Sequence, residues 1–129
     1  MLGTYGGLVF VASARKTLLP ENINVEWSGR WSSAETPGNV PQSEFLGPDT
    51  GKVKFDMTFR ADLGVKPERQ LRLVRQMVED GYYGRLILGG KPFGKLPLAI
   101  KSVSEKWNVL TQRGKIYAAT VSVELEEYR

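Results

Sequence analysis

The chain has 129 residues, a net charge of +4 and a composition 41% hydrophobic and 25% charged, as expected for one globular domain spanning residues 1–129 with its own core. It contains no cysteine and no histidine, which excludes disulfides, thiolate nucleophiles, zinc sites of the usual kind, and Ser/His or Cys/His catalysis. The charge is uneven: residues 1–50 carry three basic and five acidic side chains, residues 51–129 fifteen and nine, so the second part is a solvated basic face or meets phosphate or an acidic protein surface.

In chain order, the apolar run at the start is too short to span a bilayer and has no basic residue before it. It reads as a buried strand, Leu8 to Ser13. A second strand is expected from Ile23 to Trp31, with Ile23, Val25, Trp27 and Trp31 on one side and polar residues on the other, the period of a half-buried antiparallel strand. "SSAETPGNVPQSEF" reads as a long loop with a binding or assembly role. "LGPDTG" supplies turn chemistry before the clearest strand, Lys52 to Arg60, in which Val53, Phe55, Met57 and Phe59 alternate with polar residues.

A helix follows from Pro67 to Asp80. Pro67 suits its first turn, Glu68 complements the positive end of its dipole, and Gly81 suits the position just past its end. Leu71, Val74, Met77 and Val78 form an apolar stripe with Leu73 beside it, and Arg69, Arg72 and Arg75 lie on the opposite flank. Arg85 to Leu88 reads as a short strand and "GGKPFGK" as a turn, without the Gly-Lys-Ser/Thr ending or following helix of a phosphate loop. Two long strands, Leu98 to Leu110 and Lys115 to Tyr128, close the chain as a hairpin. The expected fold class is α+β: an antiparallel β-sandwich or partly closed barrel with one flanking helix.

No catalytic, cofactor or metal site is expected. Asp56, Asp62, Glu79, Asp80 and Glu105 are the available carboxylates, but Asp56 points outward with Lys52 and Lys54, and Glu79 and Asp80 sit at a helix end, so they read as surface charge rather than as a glycosidase pair. Arg69, Arg72, Arg75, Tyr82, Tyr83 and Arg85 could neutralise phosphates and stack bases, and a basic nucleic-acid-binding domain is the alternative function. A small polysaccharide-cleaving tail domain is a third reading. Trp27, Trp31 and Trp107 each fall on or beside an apolar strand face and are read as core.

The ordered set "GGLVFVASARKTLLP", "VEWSGRW", "EFLGPDTGKVKFDMTF", "QLRLVRQMVEDGYYGRLILGG", "LAIKSVSEKWNVL" and "GKIYAATVSVELEEY" resembles the phage tail protein GpU family of contractile-tailed bacteriophages and related tail-like bacteriocins. The resemblance implies a tail-tube-like domain in a structural virion protein, not an enzyme, located in the virion tail after assembly in the bacterial host cytoplasm. It implies a homo-oligomer, a hexameric ring joined by sheet pairing between subunits. Implied partners are the tail tube, baseplate hub and tape measure proteins, with no membrane, no specific nucleic acid and no cofactor. On this reading the interface comprises Arg69, Arg72 and Arg75 on the helix. Glu44, Phe45, Leu46, Lys52 and Lys54 join them. Long amphipathic strands leave edges that need a partner, which a ring of identical subunits supplies.

Overall fold

The computed structural model describes residues 2–13, 15–34 and 42–128. Its first strands are β1 (Gly3–Tyr5), β2 (Leu8–Ala12), β3 (Thr17–Leu18), β4 (Glu21–Glu26), β5 (Gly29–Ala34), β6 (Gln42–Pro48) and β7 (Lys52–Arg60). A 3-10 turn at Ala61–Leu63 leads to helix α1 (Pro67–Glu79), followed by β8 (Tyr83–Gly84), β9 (Leu86–Leu88), β10 (Lys91–Pro92), β11 (Leu98–Leu110) and β12 (Ile116–Glu127). Among the described residues all pairings are antiparallel, in two sheets of order β10-β9-β1-β2-β3 and β4-β7-β12-β11-β8, with β5 and β6 paired only to each other. The fold is α+β, as the order of periods along the sequence implies.

The register of β7 against β12 converts sequence alternation into two chemically different faces. On one face Val53 pairs with Leu125, Phe55 with Val123, Met57 with Val121 and Phe59 with Ala119, all buried. On the other, Lys52 pairs with Glu126, Lys54 with Glu124, Asp56 with Ser122 and Thr58 with Thr120. The apolar face packs against Tyr5, Leu8, Phe10 and Leu18 of the first sheet, and Leu71, Val74 and Met77 of α1 complete the core. Phe10 meets Phe55 edge to face at 5.9 Å and joins the two sheets. The helix lies against β11 and β12 and also touches β2 and β7. Its N-terminal turn is tied down where Ile116 N–H donates to Glu68 Oε1 at 3.1 Å.

"GGKPFGK" is a strand connection: Gly89 and Gly90 form a two-residue turn between β9 and β10, with φ of 61° and 79°. Those left-handed angles suit glycine and the twist of a hairpin, so the glycines serve the turn.

The structure corrects the sequence reading in three places. The strand expected from Ile23 to Trp31 is two strands in different sheets, broken at Trp27–Ser28, and β4, the outermost strand of its sheet, is exposed throughout rather than half-buried. The ends of the expected loop pair as the β5–β6 hairpin, while its residues 35–41 lie outside the described residues. The tryptophans are not core: Trp27, Trp31 and Trp107 are 57%, 62% and 54% exposed. Trp31 sits on the β5–β6 hairpin, where its ring meets Phe45 at 4.9 Å. Trp27 stacks on Phe93 at 6.1 Å and leans over Gly51, where an added Cβ would come within 2.3 Å of its ring.

The buried Tyr5 hydroxyl donates to the Leu98 carbonyl at 2.8 Å and links the two sheets. Burial, and then the neighbouring Tyr82, push this phenol well above its usual range. A phenol whose pKa rises on folding contributes stability that is present below its unfolded pKa of about 10 and is lost as pH climbs toward the folded value. Tyr5→Phe is expected to cost about 1–2 kcal/mol at neutral pH by removing a buried hydrogen bond between the two sheets. Urea unfolding at pH 7 and above pH ~10 checks both points, since the gap to the parent protein narrows in alkali.

Candidate assembly surfaces

The sheet β4-β7-β12-β11-β8 ends in two open edges. Among the described residues β4 pairs only with β7. On the far side, β8 covers only Leu98 and Ala99 of β11, and Ile100 N–H donates to the Tyr82 carbonyl at 3.1 Å. From Lys101 to Leu110, β11 has β12 as its only strand partner among the described residues. Unpaired backbone groups along such edges are templates for another strand.

The two edges differ in charge and resemble each other in apolar exposure. β4 carries Glu21 and Glu26 and no cation, whereas the open part of β11 carries Lys101 and Lys106, and its one acid, Glu105, is already paired with Arg75. Ile23 and Val25 on β4 are 44% and 41% exposed, and Val109 and Leu110 on β11 are 46% and 52% exposed. β4 is irregular between Glu21 and Asn24, where Asn22 has φ of 53° and its amide donates to Asp56 at 3.2 Å. Asparagine is among the few residues that adopt this region readily.

The three helix arginines do not act together. Arg75 makes a two-pronged pair with Glu105, Nε to Oε2 and Nη2 to Oε1, both at 2.6 Å. Arg69 and Arg72 are exposed, with no ion pair among the described residues, and share a groove with Lys16 of the β2–β3 connection. Arg75 thus serves the fold by holding the helix to β11, and Lys16, which no periodicity singles out, takes its place beside the other two. Hydrogen bonds from Arg75, opposed by burial and helped by the Trp107 indole, hold the Glu105 carboxyl below its usual range. That contribution is present above the unfolded pKa of about 4.3 and is lost as pH falls through the lowered folded value. Because Arg75 is about half exposed, Glu105→Gln should cost less than about 1 kcal/mol at neutral pH. The difference should shrink in urea titrations as pH falls through that lowered value and Glu105 of the parent becomes protonated in both folded and unfolded states.

Glu44, Phe45 and Leu46 lie exposed on β6, Phe45 against Trp31. A two-stranded hairpin has little stability of its own, so this arm gains from a surface to lie on. Lys52 and Lys54 face outward from β7, where Lys54 bonds Glu124 at 3.0 Å; that hydrogen bond raises the lysine and lowers the carboxyl. The sequence-expected interface therefore divides into separate pieces: a helix flank, an arm and a polar sheet face.

The carboxylates are engaged locally. Asp62 pairs with Arg60 at 2.9 Å, Asp56 accepts from Ser122 at 2.7 Å, and Asp80 accepts from Gln76 at 2.9 Å. Glu79 is exposed on the last turn of α1. Among the described residues no His, Cys, Asp and Glu side chains cluster as a metal site. No described helix is long and apolar enough to cross a membrane.

No curated protein matches the chain. A family model described as Phage P2 GpU matches residues 10–129, from the middle of β2 to the last residue. With nearly the whole chain covered, open-edged sheets and exposed apolar strands are to be understood in a protein of phage tails, and the chain belongs to the Phage P2 GpU family of tail-associated structural proteins.

Proposed function

We propose that the chain is a non-enzymatic ring subunit of a contractile phage tail or tail-like particle, six copies joining edge to edge where the tail tube meets the baseplate hub and tape measure. The observation that carries this reading is the pair of open, oppositely charged edges on one sheet. Strand addition satisfies the unpaired backbone groups, and Ile23 and Val25 of one copy come to lie near Val109 and Leu110 of the next. Because the two edges belong to different strands, the contact is head to tail, and repetition closes a ring when the rotation allows it. Arg69 and Arg72 on the helix, and Glu44, Phe45 and Leu46 on the arm, then meet neighbouring subunits or rings. Lys52 and Lys54 belong to the polar face of the continued sheet. Assembly in the bacterial host cytoplasm precedes incorporation into the virion tail.

Light scattering across protein concentration, with and without added tube or hub protein, tests this. A hexamer, or a monomer that enters rings when those proteins are added, is expected. A monomer indifferent to both overturns the reading.

A further inference from the structure

We infer that the groove between α1 and the β2–β3 hairpin is a docking site for a short acidic segment, carrying apolar side chains, from another tail protein. The inference rests on the assembly reading for the partner's identity but not for the chemistry of the site. The groove encloses about 720 Å³, a size typical of ligand clefts. Lys16 stands on the hairpin side and Arg69 and Arg72 on the helix side, with Val9 and Leu73 supplying apolar surface between them.

Every ionisable side chain lining the groove is a cation. None of the three has an ion pair within the described residues, unlike Arg60, Arg75 and Lys54, each spent on a carboxylate of its own chain. Like charges gathered around one concavity repel, and an anionic occupant turns that repulsion into attraction. A second observation is independent of charge. Gln70 lines the same groove, and its Oε1 is buried without a hydrogen-bond partner. A buried acceptor left unpaired is costly, and a turn of the Gln70 side chain toward the groove would bring it to a backbone N–H of an occupying segment.

The size of the contact follows from the helix. Arg69 to Gln76 covers about 10 Å of helix axis at 1.5 Å per residue. About three residues of extended chain, rising about 3.3 Å each, match that length. Such a motif binds weakly alone, and repetition around an oligomer multiplies its effect. Nucleic acid fits less well, because no aromatic side chain lines the groove for base stacking. Tyr82 and Tyr83 open onto an adjoining depression that shares Leu73 and Gln76 with the groove but is lined by Asp80, and Tyr83 is already stacked on Tyr128 at 4.2 Å.

The test is fluorescence anisotropy with the full chain and a labelled decapeptide in which Glu and Leu alternate between Gly-Ser ends. A Lys/Leu counterpart, a peptide with Ser for Leu, and a single-stranded DNA oligonucleotide serve as comparisons. Binding of the Glu/Leu peptide that weakens with added salt is expected, with weaker binding of the Glu/Ser peptide and none of the Lys/Leu peptide. Arg72→Glu and Lys16→Glu should each weaken it about five- to tenfold, since a reversal removes one attraction and adds one repulsion. Both residues lie on the surface, and circular dichroism verifies that the variants fold. Unchanged peptide binding by Arg72→Glu and Lys16→Glu, or DNA that binds tighter and displaces the peptide, overturns the inference. Light scattering on the same samples separates the two readings: groove binding in a chain that never enters rings sinks the ring while the docking site stands.

Discussion

Ile23→Lys combined with Val25→Lys is expected to leave the monomer folded and to abolish ring formation. Both side chains are more than 40% exposed on the outer strand, so the isolated chain loses little core. Surface changes of this kind stay within about 0.5 kcal/mol. In the proposed ring the same positions enter a seam against Val109 and Leu110, where each ammonium would lose its hydration without a carboxylate to receive it. Burying an unpaired ion costs several kcal/mol, and every ~1.4 kcal/mol is tenfold in affinity. Two lysines should therefore weaken each edge contact by more than about a thousandfold. Sedimentation or light scattering, with tube or hub protein added, reads the outcome, and normal rings from a folded double variant would remove β4 from the seam. Glutamate at the same two positions should fail as well. Failure of both charge signs would mark the burial of an ion of either sign, rather than the sign of the new charge, as the cause.

Phe59→Ala is expected to have the largest effect on folding, about 3–5 kcal/mol, the usual cost of deleting a large buried aromatic and leaving a cavity. Phe59 is fully buried on β7, opposite Ala119, in the layer where the sheet meets the rest of the core. The small Ala119 beside it cannot expand to refill the space. A domain of ordinary stability has only about 5–15 kcal/mol in hand, so this variant should unfold at much lower urea, and assembly should fail with it. Val109→Ala, at an exposed position on β11, should change the unfolding midpoint by no more than about 0.5 kcal/mol. Denaturant titrations of the two variants side by side test whether the core or the open edge governs monomer stability.

Much of the fold was legible because period-two and helical patterns report which face of an element is buried. The limits of β7 and β11 matched the alternation of their residues, and α1 began at Pro67 as its sequence required. What misled were apolar residues that follow the pattern of a core strand but reach no core of this chain. Ile23, Val25, Trp31 and Trp107 obey the pattern of a core strand, yet they are exposed. A sequence records that a side chain is apolar without recording whether the fold brings another layer against it. The short strands β1 and β3 were missed for another reason, since two or three residues carry no period and form only because neighbouring strands pair with them.

The site was half legible. Helical spacing put Arg69, Arg72 and Arg75 on one flank, and the ordered motifs pointed to the family that the match over residues 10–129 establishes. Spacing along the helix could not reveal that Glu105, thirty residues away, captures Arg75 at 2.6 Å, or that Lys16 comes to face Arg69 and Arg72. By itself, then, the sequence determined the α+β class, the two faces of each long strand, the helix and the family. These depend on local period and on residue order, which the chain carries in one dimension. Only the tertiary structure decided which edges stay open, which cations remain unpaired and which apolar residues lack a core. Those depend on long-range pairing, in which a carboxylate or strand distant in sequence either arrives beside a group or leaves it open to solvent.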